Sequence, residues 1–275
     1  MDNFKFSVSI CVYDGDDANN FDIAMGSVFS QTIMPDEVVL VVDGPVNEQI
    51  DSVIKKYQTE FKSLKVVRLC KNEGHGNARR TGLQHCTSDL VAIMDADDIC
   101  LHDRFEKQLE AFRRDETLDV VGGNITEFIG EPQNIVGKRI VPQNDKNIKE
   151  YLKTRCPMNL VTVMFRKASV EAVGGFIDWY CEEDYYLWAR MLLANQKFAN
   201  ISDVLVNVRV GEDMYRRRGG IKYFKSEARF QKYLYNNKII HFGTYFVNLA
   251  KRFIVQVMMP NSVRGFIFKK FAREK

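Results

Sequence analysis

Leu90-Val91-Ala92-Ile93-Met94-Asp95-Ala96-Asp97-Asp98 decides how the chain is read: an unbroken apolar run that ends in three closely spaced carboxylates. An aliphatic run of this kind is the pattern of a strand buried on both faces. Adjacent carboxylates repel one another, and a fold tolerates them best where a cation neutralises them. Hard oxygen ligands suit Mg2+ or Mn2+, which bind one or two carboxylates together with substrate phosphates. Asp is also favoured in acidic turns and at helix N-caps, so the motif alone leaves both readings open. Its place after a buried strand and before the helical spacing of Arg104 to Arg113 favours a functional site.

Upstream, strand-like and helix-like segments alternate. Phe6 to Tyr13 is a β-rich apolar run, and Phe21 to Gln31 has helical spacing through Ile23, Val28 and Phe29. Val38 to Val42 is continuously aliphatic and ends at Asp43-Gly44. Asn47 to Phe61 reads as a surface helix with Ile50, Val53, Ile54 and Tyr57 on one face. Leu64 to Leu69 predicts a strand and Gly76 to Gln84 a helix. Strands that are apolar throughout, each followed by a helix, predict a parallel sheet covered on both faces. Ligands gather at the carboxyl ends of such strands. Asp14, Asp43 and Asp95 all follow apolar strands, so three acids are expected around one cleft.

Downstream, Val120 to Phe128 and Val161 to Phe165 predict strands, separated by a polar connection around Pro142 to Lys149. Glu183 to Asn195 predicts a helix with Leu187, Met191 and Leu192 on a common face, and Glu182 just before it is expected to be solvated. Past residue 220 the pattern is helical and rich in Lys, Arg and Phe. We expect a catalytic domain over residues 1–220. A helical, basic and amphipathic region would follow at 221–275.

The 275 residues are 45% hydrophobic and 27% charged, ordinary values for a globular protein. A net charge of +3 is too small to imply nucleic acid as a partner. Six cysteines stand singly with no CxxC pair, which speaks against a zinc ribbon or a thioredoxin-like site. Cysteines in apolar runs such as Ser9-Ile10-Cys11-Val12 behave as small hydrophobes and suggest a reducing compartment. The start, Met1-Asp2-Asn3-Phe4-Lys5, lacks the apolar core of a signal peptide. No apolar run approaches the roughly 18–20 residues that span a bilayer. The expected location is cytoplasmic, with a peripheral position at the inner face of the cell membrane as a further expectation.

Several pieces in register resemble the family 2 glycosyltransferases, which have the GT-A fold. The likeness covers roughly residues 6–210. Ser7-Val8-Ser9-Ile10-Cys11-Val12-Tyr13 is similar to the opening strand of that family. Ser27-Val28-Phe29-Ser30-Gln31-Thr32 with Pro35-Asp36-Glu37-Val38-Val39-Leu40-Val41-Val42-Asp43-Gly44 resembles the next helix and strand. Asn72-Glu73-Gly74 to Leu83 resembles the arginine-bearing loop and helix before the metal motif. Gly174-Gly175-Phe176 and Glu183-Asp184-Tyr185-Tyr186-Leu187-Trp188-Ala189-Arg190 complete the set.

The resemblance implies a mostly parallel, Rossmann-like sheet flanked by helices and an inverting, metal-dependent transfer of a hexose or N-acetylhexosamine. The donor would be a UDP-sugar and the cofactor Mn2+ or Mg2+, with a nucleotide-binding half at residues 1–100 and an acceptor-binding half at 101–220. It implies that Asp43 accepts from the uracil, that Arg79 helps hold the nucleotide, and that Asp95 sits near the ribose or the outer metal shell. Asp97 would be the direct metal ligand, Asp184 the catalytic base, and Glu183 a group orienting the acceptor. Tyr13 and Asp14 fall in the donor-binding position, where the family usually has Asn after the Tyr. Asp213-Met214-Tyr215-Arg216-Arg217-Arg218-Gly219-Gly220 resembles a subgroup that builds bacterial exopolysaccharide, capsule or O-antigen, amylovoran-type enzymes included. There Arg216, Arg217 or Arg218 would close over the diphosphate, since arginine presents a fork of donors to phosphate oxygens.

From Leu249 to Lys275, basic residues such as Lys251, Arg252, Lys269 and Lys270 are interleaved with Phe, Ile, Val and Met against a single acid, Glu274. Basic amphipathic helices of this kind lie on anionic membranes or cap a domain. A membrane surface would suit an acceptor carried on undecaprenyl diphosphate. Three other readings are weighed against a transferase. A DxD phosphatase uses its first Asp as nucleophile near the start of the chain, which fits residue 95 poorly. A sugar nucleotidyltransferase wants a Gly-rich, Arg-containing loop after its first strand, where this chain has the acidic Asp14-Gly15-Asp16-Asp17. A degenerate nucleotide-sugar-binding module has no need of both Asp97 and Asp184.

Overall fold

A computed structural model describes residues 4–211 and 219–259 of the chain. Its first half runs β1 (Phe6–Val12), α1 (Ala18–Val28), β2 (Glu37–Val42), α2 (Glu48–Glu60), β3 (Leu64–Arg68), α3 (His75–His85) and β4 (Leu90–Asp95). β1 pairs in parallel with β2 on one side and β4 on the other, and β2 pairs in parallel with β3. The chain therefore crosses from β3 past β1 to β4. That reversal leaves a crevice at the carboxyl ends of β1 and β4, where doubly wound sheets bind ligands.

The continuous aliphatic runs have a direct cause in the packing. Along β2, Val38, Leu40 and Val42 enter the core on one face of the sheet, and Val39 and Val41 enter the core on the other. Leu90, Ala92 and Met94 of β4 alternate with Val91 and Ile93 in the same way. Successive side chains of a strand point to opposite faces, so a strand covered on both sides needs an apolar residue at every position.

The second half runs β5 (Ile99–Cys100), α4 (Arg104–Arg114), β6 (Val120–Phe128), β7 (Ile135–Arg139), α5 (Asp145–Leu152), β8 (Met164–Arg166), α6 (Lys167–Ala172), α7 (Glu183–Leu193) and β9 (Phe198–Arg209). Among the described residues the sheet order is β3-β2-β1-β4-β8-β6-β9-β5, with β7 paired to β6. β8 is antiparallel to β4 and β6, and β9 is parallel to β6. The sheet is thus mixed but mostly parallel, with helices on both faces, as the first half predicts.

Three local expectations change. Val161 to Phe165 is not one strand: a 3-10 turn at Leu160–Thr162 precedes β8. There Asn159 Nδ2 donates to the Gly123 carbonyl at 2.8 Å and Thr162 Oγ1 to the Asn159 carbonyl at 2.7 Å. Side chains that bond backbone locally divert it from a ladder. The polar connection at Pro142 to Lys149 contains the start of α5, capped by Asn144, whose side chain accepts from the Asn147 amide at 3.0 Å. β9, a twelve-residue strand, has no counterpart in the sequence reading.

Beyond β9 lie a helix at Ile221–Asn236, a second at Phe242–Phe253 and a π-helical turn at Ile254–Met258. The first of these packs on the sheet: its Phe230 and Leu234, with Ile239 and Ile240 just after it, share a core with α3, α7 and β8. The Phe230 ring lies 4.3 Å from that of Tyr185. The second carries Phe242 and Phe246 at its surface, 64% and 63% exposed.

At the end of β2, Gly44 has φ +90°, and a Cβ there would lie 2.6 Å from the backbone nitrogen of Asn72. Only glycine lets the chain turn so close to the 72–74 loop. Gly44→Ala should lower stability by ~1–3 kcal/mol through strain and overpacking. Urea unfolding checks this, and an unchanged midpoint would show that the 72–74 loop yields.

Candidate active site

The crevice opens into a cleft of about 1020 Å³. Asp16, Asp43, Asp95, Asp97 and Asp98 line one part of it; Cys156, Glu182 and Asp184 line another, beside Arg139, Arg155, Lys251 and Arg252. Each aspartate is fixed by a different element. Asp43 follows β2, is 6% exposed, and its carboxylate accepts from the amides of Glu73 at 2.7 Å and Gly74 at 3.1 Å. It thereby holds the loop that leads into α3. A carboxylate has about four lone-pair sites, so two remain for a ligand.

α3 carries Arg79 beneath the cleft, 4% exposed. Its guanidinium reaches Asp95 Oδ1 at 2.8 Å and Glu183 Oε1 at 3.1 Å. Burial works against the charge of Arg79, but Asp95 and Glu183 outweigh it and hold the guanidinium protonated. Burial likewise opposes ionisation of Asp95, and Arg79 with His75 brings its carboxyl below the ordinary value. Glu183 behaves in the same way, with His75 and Arg79 overcoming burial. Arg79 and Glu183 do not line the cleft. The nearest contacts of Arg79 are these two carboxylates.

Asp97 stands exposed at the cleft surface, in the turn that Arg209 wraps. Arg209 Nε donates to the Asp97 carbonyl at 3.1 Å, and the Arg209 amide donates to Asp98 Oδ1 at 2.8 Å. Asp98 is 3% exposed; burial, then the charges of Asp97 and Asp95, push its carboxyl well above the usual range. Behind the turn, fully buried Arg104 donates to the carbonyls of Ile93 at 2.9 Å and Val163 at 3.3 Å. Asp184, the second residue of α7, accepts from the Tyr185 amide at 2.7 Å and from Cys156 Sγ at 3.6 Å. Burial, and then Glu183 beside it, raise its carboxyl above the ordinary value.

Two residues of the β1 loop take different parts. Tyr13 is 43% exposed and lines the cleft. Asp14 instead accepts from the Asn47 amide at 2.8 Å and from Asn47 Nδ2 at 3.2 Å, and Asn47 caps α2. Arg216, Arg217 and Arg218 lie outside the described residues. Glu182, expected to be solvated, is instead 2% exposed beneath the C-terminal helices. Burial and the charge of Glu227 push its carboxyl well above the usual range.

Among the described residues no three His, Cys, Asp or Glu side chains converge to enclose a metal ion by themselves. A hard divalent cation does not need them: it takes one or two carboxylates and completes its shell with phosphate oxygens and water. Asp97 at the cleft surface, with Asp95 held behind it by Arg79, fits that pattern. Sequence reasoning overlooked Asp16, Arg209, Arg139 and Arg155. Only Asp16 left a signal, in the acidic run after β1; the others come to the cleft through tertiary pairing.

A sequence profile described as Glycosyl transferase family 2 matches residues 7–173. The chain is 35% identical over 274 residues to the UDP-Gal:alpha-D-GlcNAc-diphosphoundecaprenol beta-1,3-galactosyltransferase of Escherichia coli, covering 99% of this chain and 98% of the relative. It is 35% identical over 268 residues to the amylovoran biosynthesis glycosyltransferase AmsE of Erwinia amylovora, covering 96% and 98%. Among solved structures, the mannosyltransferase PcManGT of Pyrobaculum calidifontis, in complex with GDP-Man and Mn2+, superposes with a TM-score of 0.64 at 15% identity. It covers 94% of this chain and 71% of that one. The architecture is the GT-A fold.

Asp16 gives a test of the acidic wall. Burial, with Asp97 and Asp95 nearby, raises its carboxyl to about 6, although the Tyr13 amide donates to it at 3.0 Å. A folded-state value above the unfolded 3.8 makes stability fall as pH rises through about 6. In metal-free protein, Asp16→Asn should therefore stabilise the fold by roughly 1–2 kcal/mol at pH 8 and by little at pH 4. Denaturation at the two pH values measures it, and an equal effect at both would remove the charge argument.

Proposed function

The chain belongs to glycosyl transferase family 2, and from that premise we propose that it moves a hexose or N-acetylhexosamine from a UDP-sugar to a lipid-diphosphate-linked sugar. The reaction is metal-dependent, inverts the transferred carbon and serves bacterial surface polysaccharide assembly. The observation that carries this reading is the placement of Asp97 and Asp184 on one cleft, with Arg79 joining their supporting neighbours Asp95 and Glu183. The two full-length relatives support the substrate classes, since one is named for a UDP-galactose donor and a diphosphoundecaprenol acceptor.

In this reading residues 1–100 bind the donor, 101–220 the acceptor, and 221–275 form the basic tail. Asp43 accepts from the uracil with the lone pairs its loop contacts leave free, and Tyr13 lies against the same nucleotide. Asp97, with Asp95 behind it, would hold Mg2+ or Mn2+, which would supply Lewis-acid stabilisation of the charge on the departing diphosphate. Asp184 takes the proton from the acceptor hydroxyl as the new bond forms. Its raised carboxyl suits that work, because a stronger base removes the proton more readily.

The acceptor class also gives the tail a place. No helix among the described residues is long and apolar enough to cross a membrane. The Phe242–Phe253 helix and the turn after it expose Phe242, Phe246, Val247, Phe253, Ile254 and Met258. From residue 219 to 259 the only acid is Glu227, against seven Lys and Arg residues. An exposed apolar face in a basic segment fits an anionic lipid surface, where the lipid acceptor resides.

Mass spectrometry of products from a UDP-sugar panel with a lipid-diphosphate N-acetylhexosamine tests the function; no sugar transfer from any donor would reject it. Asp97→Ala should abolish both metal-dependent turnover and the rise in Tm on adding Mn2+ with UDP. Asp184→Asn should cut kcat by on the order of 10²–10⁴. In the wild type, the acid limb of kcat/KM should lie above the ordinary aspartate value of 3.8. Replacing Phe242 and Phe246 by Ser should release the protein from anionic liposomes in flotation, and equal partitioning would remove the tail as a membrane contact.

A further inference from the structure

The cleft is divided by charge. Aspartates line its nucleotide side, and an anion can approach them only with a cation between. On the other side stand Arg139, Arg155, Lys251 and Arg252, drawn from three separated parts of the chain. We propose that these four residues form the site for the acceptor's diphosphate, so that the enzyme binds its two diphosphates by different means. This deepens the proposed function and rests on its reading of a lipid-diphosphate-linked acceptor.

The convergence is geometric. Arg139, the last residue of β7, donates from Nη2 to the Cys156 carbonyl at 2.7 Å. Arg252, on the second C-terminal helix, donates from Nη2 to the Thr154 carbonyl at 3.1 Å. Arg155 stands between those two carbonyls in the chain, and Lys251 precedes Arg252. One three-residue segment thus gathers the cations, and its last residue, Cys156, donates to Asp184 Oδ2 at 3.6 Å. The cationic group is therefore tied to the proposed base. A sugar whose hydroxyl meets Asp184 would direct the phosphate on its anomeric carbon toward this wall.

The acids on this side, Glu182, Asp184 and Glu227, offset the four cations only in part. Glu227 is paired with Arg252 Nε at 2.8 Å and is further engaged by Gln256. Glu182 is buried, and burial together with the charge of Glu227 favours its neutral form. Arginine forks and a lysine ammonium suit phosphate oxygens without a metal. The wall also borders a route for the lipid, since Phe253 and Ile254 follow Arg252 and are 40% and 50% exposed.

The test uses the full chain carrying Arg155→Ala and Lys251→Ala together, two residues whose side chains are not fully buried. Its thermal unfolding is first matched to wild type. Two acceptors are compared, a GlcNAc-diphosphate-alkyl compound and a plain alkyl GlcNAc glycoside, and UDP affinity is measured separately. We expect KM for the diphosphate acceptor to rise roughly tenfold or more, and the preference over the plain glycoside to collapse. UDP affinity should stay within about twofold. An unchanged preference overturns the proposal, and so does weaker UDP binding with an unchanged acceptor KM, which would make the wall a donor site. Calorimetric binding of the GlcNAc-diphosphate-alkyl compound in the absence of donor tests the same site without turnover, and the variant should bind it roughly tenfold more weakly. Failure of wild type to transfer any sugar would reject the proposed reaction, whereas equal binding by wild type and variant would reject this site alone.

Discussion

The buried guanidinium of Arg79 is the contact on which the site depends. Asp95 ends the central strand β4, and Glu183 opens α7, 88 residues further along the chain by their numbers. Arg79 joins them from below, and a buried charge of this kind stays only while it is paired. Removing the arginine would leave two carboxylates facing each other in a half-buried place. Their neighbours Asp97 and Asp184 line the cleft from ends that Arg79 has fixed. The reach of Arg79 requires α3 to lie close on β1, and Gly82 allows it: a Cβ there would press against the Ser9 hydroxyl.

The first half of the sheet was legible because its signals are local. Each strand from β1 to β4 carries core residues, and the runs at Val38 to Val42 and Leu90 to Met94, buried on both faces, name themselves. The second half is otherwise. β9 runs past β6 with its register shifted twice and most of its residues at least partly exposed, which erases any clean alternation in Phe198 to Arg209. Val161 to Phe165 is apolar enough for a strand, yet Asn159 and Thr162 commit their side chains to backbone carbonyls and turn it.

Within the site, the aspartates and Arg79 were legible and the other cations were not. Asp43, Asp95, Asp97 and Asp184 follow strands or open a helix, places that sequence spacing reveals. Arg139, Arg155 and Arg252 look like ordinary surface charges until the fold gathers them at Thr154 to Cys156. Glu182 illustrates the same blindness with the opposite sign: glutamate is rarely buried, and only the C-terminal helices, supplying Glu227 and Arg252, enclose it.

The bond from the Arg209 amide to Asp98 spans 111 residues of sequence. During synthesis the aspartate turn leaves the ribosome long before β9 does, and domains begin to fold from the amino terminus. For that interval the sheet's first half can form while the acidic turn still lies open to water, its carboxylates fully hydrated. Pairing of the last long strand both completes the sheet and draws Asp98 out of solvent. The rim of the cleft is thus a late product of biogenesis, and a chain interrupted before residue 209 would carry the first half of the sheet with that rim unfinished.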